Sequence, residues 1–277
     1  MARAPRRPQR PDLRSRFVGA GSAFVPTSAA VRRAVAALQR ALHVSRKNLL
    51  EQGVIHFHNL YTTYVVLMLT YASAYRSVSD PFWLDADVDP ESGLAGISDK
   101  GKADFYNSRG VVLPETCRTQ IEYYRRHRER ISEIAALLDD RLHQSMSTVA
   151  RRRLTQRRDS IARLRSEALP EFFYLPLDPR RNRRGWIHVT PTELHSRLQR
   201  VLPPPLNGNR HYQPSELRPR GCPEDIFFAF LGHWHQGQEP WSKFACLSMR
   251  TYKAVLLRHI EEILREDGWI ALRGIDD

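Results

Sequence analysis

The chain has 277 residues, of which 42% are hydrophobic, so it is long enough to bury the core of one large domain or two modest ones. It contains 43 Lys and Arg residues against 30 Asp and Glu residues, which gives a formal net charge of +13. Such a surplus favours a polyanionic partner, with nucleic acid first and an anionic membrane second; a general compositional bias toward arginine gives the same count with no partner at all. Three isolated cysteines argue against a disulfide scaffold and favour a reducing compartment.

The start of the chain and its longest apolar stretch bear on localisation. Residues 1–26 are rich in Arg and Pro and predict a basic disordered arm suited to DNA contact, with no apolar segment typical of a signal peptide. The apolar stretch from Leu60 to Tyr75 is shorter than the ~20 residues of a membrane span and contains several Thr, Ser and Tyr residues. We therefore expect a cytoplasmic, nucleoid-associated protein with no membrane partner.

Two helices are predicted after the arm. The first begins near Thr27, with apolar residues at helical spacing. These apolar residues are Val31, Ala34, Val35, Leu38 and Leu42, and the opposite face holds Arg32, Arg33 and Arg40. Gly53 interrupts the pattern, and the apolar segment 57–73 then predicts a buried core helix.

The segment 82–115 predicts short strands. The stretch WLDADV alternates apolar and polar residues, as a half-buried strand does. Gly93 and Gly96 are expected to bracket a turn, the stretch ISDKGK to form a lysine-rich hairpin tip, and RGVVLP to form the next strand. Together these segments predict a small antiparallel β-sheet.

The remainder of the chain predicts helices. Residues 116–168 predict one or two long arginine-rich helices, a basic helical insertion that faces either solvent or DNA. Thr190 is a candidate N-cap, with Pro191 at the first helical position and Glu193 completing a capping box. Residues 211–267 predict helices broken near Gly221 and across HWHQGQEPW. The expected fold class is therefore mainly α with a small antiparallel β-sheet, in one domain over residues 27–277.

Transfer of a DNA strand without a metal ion requires three kinds of side chain. Fixed cations hold the phosphate oxygens as charge builds on phosphorus, and arginine suits this because its planar fork pairs two oxygens at once. A lysine or histidine protonates the leaving sugar oxygen, and a nucleophile forms the covalent intermediate. The chain offers candidates in one order along the sequence: Arg76, Lys100, His211, His233 and Tyr252.

This order resembles the tyrosine recombinase, or phage-type integrase, family. The stretch LTYASAYRSVSDPF resembles the first-arginine box of that family, and the run from ISDKGK to RGVVLPE resembles its lysine hairpin and following strand. The stretch RHYQPSELRPRGCPEDIFFAFLGH resembles the His-x-x-Arg box running into the Gly-His box. The resemblance covers roughly residues 45–260 and implies a mainly helical catalytic domain that clamps DNA.

The resemblance also implies a function and site residues. It implies a site-specific recombinase of a mobile genetic element, which integrates or recombines DNA by strand cleavage and rejoining through a phosphotyrosyl intermediate. Phosphate binding falls to Arg76, His211, His233 and Arg218, protonation of the leaving oxygen to Lys100, and attack on phosphorus to Tyr252. The implied partners are double-stranded DNA and further copies of the chain in a synaptic oligomer, with no cofactor and no metal.

The sequence departs from the family pattern at two positions. Pro214 stands where the second arginine belongs, and either Arg210 or Arg218 is a candidate replacement, the latter one helical turn beyond on the same face. Phe244 stands at the usual spacing of the nucleophile, and the stretch HQGQEPWSK accounts for the later position of Tyr252 if it is an inserted loop.

Three other interpretations remain open on the sequence. The first is a catalytically degenerate DNA-binding relative of the same fold, motivated by Pro214 and Phe244. The second is a basic scaffold protein unrelated to recombinases. The third is a metal site, for which the nearest candidates are His56, His58, His233, His235, Cys222 and Cys246. Their spacing lacks the tight Cys and His pairs that zinc sites usually show, so we expect no metal.

Overall fold

The computed structural model describes residues 25–47, 49, 53–75, 89, 92–98, 108–144, 170–176, 186–199, 201, 208–233, 240 and 247–275. In these residues, seven helices accompany two small antiparallel sheets, which confirms the mainly helical α+β class. The helices are α1 (Ser28–Lys47), α2 (Val54–Ser73), α3 (Glu115–Gln144), α4 (Pro191–Leu198), α5 (Gly208–Leu217), α6 (Glu224–Leu231) and α7 (Met249–Glu266). The strands are β1 (Leu94–Ser98), β2 (Ser108–Val112), β3 (Phe173–Tyr174) and β4 (Ile187–His188).

Helix α2 lies at the centre of the core. Seventeen of its twenty residues are buried, as its apolar sequence predicts, and it packs against α1, α3, α5 and β3. Hydroxyl groups inside the helix donate to carbonyls one turn earlier, for example Thr70 to Val66 at 2.6 Å and Ser73 to Leu69 at 2.7 Å. These bonds satisfy polar groups that would otherwise be buried without a partner. Across the described part of the chain, no helix is both long enough and apolar enough to cross a membrane.

Helix α1 confirms the prediction from its periodicity. Thr27 begins it by accepting a hydrogen bond from Ala30 N at 3.2 Å. The five apolar residues predicted for its inner face are all buried against α2: Val31, Ala34, Val35, Leu38 and Leu42. The burial of this face leaves the arginine-bearing face toward solvent.

Strands β1 and β2 form an antiparallel hairpin in which Gly96 pairs with Gly110. The predicted turn between Gly93 and Gly96 is wrong, because residues 94–98 form β1 and Gly96 is an extended residue inside it. The predicted strand at RGVVLP is confirmed as β2. WLDADV and the hairpin tip with Lys100 lie outside the described residues.

Two helix boundaries predicted in the second half are confirmed. Thr190 caps α4 by accepting from Glu193 N at 3.2 Å, and Gly221 separates α5 from α6. The predicted capping box is only half formed, because Thr190 N donates to His188 O at 3.0 Å, and most of HWHQGQEPW lies outside the described residues. Helix α7 begins after Ser248, whose hydroxyl accepts from Thr251 N. The basic arm through residue 24, and residues 145–168 of the predicted basic insertion, lie outside the described residues.

The C-terminal segment after α7 is tied to α2 and α3 by a chain of hydrogen bonds through two buried histidines. Ile275 N donates to His127 Nδ1 at 3.3 Å, His127 Nε2 lies 3.1 Å from His58 Nδ1, and His58 Nε2 lies 2.9 Å from Phe173 O. Each contact has one donor and one acceptor only if both imidazoles are neutral and protonated on Nε2. Gly274 packs so closely on His127 that a Cβ there would lie 2.5 Å from the His127 Cβ.

This pair predicts a loss of stability in acid. Burial lowers the pKa of His58 from 6.5 to about 3 and lowers the pKa of His127 well below its ordinary value. The unfolded chain takes up these protons near pH 6.5, whereas the folded chain does not. Proton uptake therefore stabilises the unfolded state relative to the folded state as pH falls. We expect the free energy of unfolding, measured with urea, to drop by about 2 kcal/mol per histidine between about pH 7.5 and pH 5.

The His127→Gln variant is expected to show a shallower dependence of unfolding free energy on pH, because one buried imidazole no longer titrates. His43→Gln, which removes an exposed histidine from α1, is the matched control and is expected to keep the slope of the unmodified protein. Equal slopes for all three proteins would contradict the neutral histidine pair.

Candidate functional site

The ends of five elements meet at one place in the fold. They are the carboxyl ends of α2 and α6, the strand β2, and the amino ends of α5 and α7. We call this place the junction, and it comprises Ser73–Tyr75, Arg109–Gly110, Asn209–His211, Phe230–His233 and Tyr252. The sequence candidates Arg76, His211, His233 and Tyr252 either lie in the junction or directly follow it along the chain.

Arg109 on β2 holds the junction together. Its side chain is 2% exposed, and its guanidinium donates to Ser73 O at 3.0 Å, to Ala74 O at 2.9 Å and to Phe230 O. The last carbonyls of a helix have no partner inside the helix, so one cation here satisfies the carboxyl ends of α2 and α6 together. The positive charge is also favourable beside the negative ends of two helix dipoles.

The backbone that leads to Arg76 is fixed in an unusual conformation. Ala74 has φ 50° and ψ 36°, and it is the one residue other than glycine with positive φ in the described part of the chain. A left-handed conformation costs roughly 1 kcal/mol for a residue with a Cβ, so the surroundings must hold it. Asn209 contributes by donating to Thr70 O at 2.9 Å and to Tyr75 O at 2.7 Å. Arg76 itself lies outside the described residues.

A pair of basic side chains lies at the solvent side of the junction. Gly232 ends α6 with a φ of 67°, and His233 follows it with an exposed side chain. Arg210 Nη2 lies 3.4 Å from His233 Nε2 and donates to Leu231 O at 2.5 Å. His211, also exposed, is the next residue on α5. The structure therefore brings Arg210 next to His233, and the exposed His211 follows Arg210 on α5; we call these three residues the exposed edge of the junction.

Arg218 lies at the other end of α5. Eight residues separate it from Arg210, which is about 12 Å along a helix axis. Its guanidinium lies 5.0 Å from the centre of the Phe227 ring, and its side chain is otherwise exposed. Pro214 lies inside α5, where it donates no hydrogen bond to the carbonyl of Arg210 one turn earlier. Of the two candidates to replace the arginine missing at Pro214, Arg210 contacts His233 and Arg218 contacts Phe227.

Tyr252 lies on the inner side of the junction. It is fully buried, and its hydroxyl donates to Gly110 O on β2. Burial raises the pKa of this phenol, because the charged form is excluded from water. In this arrangement Tyr252 is a protonated, inaccessible hydroxyl, and an attack on phosphorus requires it to leave Gly110 and reach the surface. Phe244 and Lys100 lie outside the described residues.

Sequence reasoning missed Arg109 and Asn209, which position the junction. Arg109 begins the stretch RGVVLP, whose pattern predicts a strand. Neither that pattern nor the neighbouring Gly110 indicates that the Arg109 side chain is buried. Asn209 precedes the histidine of the second box, and an asparagine at the start of a helix is commonly a cap. In both cases the signal was a polar residue at an element boundary, which sequence alone does not separate from a surface residue.

A cavity of about 670 Å³ lies along the second half of α7 and is lined by both signs of charge, from Arg220, Arg258, His259, Glu261, Glu262 and Arg265. It includes none of the sequence candidates. Within the described ranges, no group of three or more His, Cys, Asp or Glu side chains could hold a metal ion.

Comparison with protein-family models, with curated proteins and with solved structures found no match to this chain. The function therefore has to be inferred from the junction, the exposed basic residues and the order of the candidates along the sequence.

Replacing Arg109 by Met is expected to destabilise the fold strongly. The variant keeps an unbranched apolar stem but leaves the carbonyls of Ser73, Ala74 and Phe230 without their donor, and each unsatisfied buried carbonyl costs about 1 kcal/mol or more. We expect a loss of about 3 kcal/mol in urea unfolding. Arg126→Met removes an exposed arginine from α3 and is the matched control, with a change below about 1 kcal/mol. Equal effects of the two variants would contradict the role of Arg109.

Proposed function

We propose that the protein binds double-stranded DNA at the junction and acts as a site-specific recombinase of the tyrosine type. The observation that supports this most is the meeting of separate element ends around Arg109, because those ends carry Arg76, His211, His233 and Tyr252 or lead directly to them. These residues are distributed between positions 76 and 252 of the sequence. The fold brings the elements that carry them, or that precede them, to one place, as a shared active site requires.

The proposed chemistry assigns one step to each type of side chain. Arg76, His211 and His233 hold the non-bridging oxygens of the scissile phosphate, and Arg210 joins them at the exposed edge. The Tyr252 hydroxyl gives its proton to the His211 imidazole, and its oxygen bonds to phosphorus while the bond from phosphorus to the 5′ oxygen breaks. Lys100 gives its proton to that leaving oxygen. The 3′-phosphotyrosyl link conserves the bond energy, so rejoining by a 5′ hydroxyl reverses the step without a nucleotide or a metal.

The proposal has consequences for partners. Double-stranded DNA is the substrate, and exchange between two duplexes requires several copies of the chain on DNA in a synaptic oligomer. Association with the nucleoid follows from the affinity for DNA. Arg218, at the far end of α5, serves in this proposal as a contact to the DNA backbone.

A second candidate function is DNA binding without strand cleavage. Two observations favour it: the hydroxyl of Tyr252 is buried against Gly110, and Pro214 occupies the place of the second arginine. In this case the junction holds DNA through the same basic edge, and Tyr252 is a core residue.

Covalent capture on nicked DNA separates the two candidates. A pool of nicked duplexes with randomised sequence around the nick is incubated with the protein, and denaturing gels report any protein linked to DNA. We expect an adduct that Tyr252→Phe abolishes while DNA binding, measured on the same pool, remains. Bound DNA with no adduct would overturn the cleavage proposal and support the second candidate.

Arg210 on α5 and Arg218, the residue after its last turn, provide a matched pair for the same assay. Arg210→Gln and Arg218→Gln each remove one positive charge, but only Arg210 contacts His233. Loss of one stabilising donor for the transition state costs about 100-fold or more in rate, so we expect Arg210→Gln to slow adduct formation by that order. Arg218→Gln is expected to change the rate less than about threefold. The reverse ranking would assign the missing arginine to Arg218.

A further inference from the structure

The exposed face of α1 has a composition that the junction does not explain. It presents Arg32, Arg33, Arg40, His43 and Lys47 to solvent, while its opposite face is packed into the core. At 100° per residue these five positions fall within an arc of about 100°, centred nearly opposite the buried residues. We call this the cationic face of α1.

The cationic face is long and regular. Arg33, Arg40 and Lys47 are seven residues apart, so they form a line with steps of about 10 Å and a total length of about 21 Å. One helix thus presents a straight row of positive charges along one side of the molecule.

Among the described residues, three of these charges, those of Arg33, Arg40 and Lys47, have no acidic partner. Helix α1 contains no Asp or Glu, and in the described ranges no acidic side chain forms an ion pair with Arg33, Arg40 or Lys47. Helix α3 differs, because its half-buried Arg118 and exposed Arg126 are paired with Glu115 and Glu122. Repulsion within an unneutralised row favours the binding of an external polyanion.

We propose that the cationic face of α1 is a second DNA-binding surface, which contacts the phosphate backbone of a duplex without reading its sequence. A duplex has one negative charge per 1.7 Å of its axis with both strands counted, so about 21 Å of duplex carries about twelve phosphates, and the row contacts those on the side that faces it. The inference takes the identity of the partner from the proposed function, but it does not depend on cleavage at the junction.

The composition of the face favours a nucleic acid over an anionic membrane. Helices that bind membranes insert an apolar face into the lipid, whereas the apolar face of α1 is buried against α2. Val44 is the only large apolar residue exposed on α1. The preceding residues 1–26 add six arginines and one aspartate in sequence, so the positive charge continues beyond the helix. Arginine pairs with phosphate oxygens better than lysine does.

The salt dependence of DNA binding tests this surface. Binding of the full chain to a random-sequence duplex of about 30 base pairs is measured by fluorescence anisotropy between about 50 and 200 mM KCl. The double variant Arg33→Gln/Arg40→Gln is expected to reduce the slope of log K against log salt by about 1.8 and to weaken binding at least about tenfold, because two phosphate contacts are lost. Glutamine is a good helix former, so α1 is retained.

The matched control is Arg118→Gln/Arg126→Gln, which also removes two positive charges, from the half-buried Arg118 and the exposed Arg126 of α3. It is expected to leave the slope unchanged, because those arginines are already paired. If both variants lost the same amount of slope and of affinity for the duplex, net charge alone would explain the effect, and this result would overturn the inference. An unchanged slope in the α1 variant, or no duplex binding by the unmodified protein, would also overturn it.

A parallel arm uses vesicles of phosphatidylserine and phosphatidylcholine. Tighter binding to these vesicles than to the duplex, lost in the α1 variant, would assign the face to a membrane instead and contradict the inference. The absence of a covalent adduct in the nicked-DNA assay, combined with the expected change in slope, would reject cleavage at the junction and leave the α1 surface in place.

Discussion

Three backbone carbonyls from two helices converge on the buried guanidinium of Arg109, and the geometry of the candidate site depends on this contact. A charged side chain taken out of water is costly unless every donor finds an acceptor, and the ends of α2 and α6 supply acceptors that have no partner inside their own helices. The contact therefore satisfies the cation and the helix ends together. It also fixes where the chain leaves α2 toward Arg76 and where it leaves α6 toward His233.

The rest of the structure is arranged along α2. In its first half, α2 contributes His58 to the neutral histidine pair, and His127 of that pair binds the C-terminal segment. The junction lies at the opposite end of α2, at its last turn. One side of α2 packs against α1, whose outer face presents the cationic row of Arg33, Arg40 and Lys47. A single buried helix thus supports two basic surfaces, the exposed edge at Arg210, His211 and His233 and the face of α1. Two such surfaces suit a partner that is long and uniformly charged.

The parts of the fold that local physics determines were predictable from the sequence. The periodicity of α1, the apolar length of α2 and the cap at Thr190 each require only neighbouring residues, and all three predictions are confirmed. The turn at Gly93 and Gly96 was wrong because pairing with the distant Gly110 keeps Gly96 extended. Arg109 was missed for the same reason: its burial depends on two helices remote in sequence. Arg218 was favoured by its position on the helix face, but distance along the axis decides which arginine reaches His233. Arg76 and Lys100 remain predictions.

We propose that the exposed edge of the junction faces DNA, and site-specific photo-crosslinking measures this directly. A benzophenone side chain is placed at His211 in the full chain, and at Thr192, an exposed residue of α4 outside the junction, as the matched position. Each protein is irradiated with a duplex, and the fraction linked to DNA is measured. We expect linkage from position 211 well above that from position 192. Equal linkage from both positions, or linkage from position 192 alone, would contradict it.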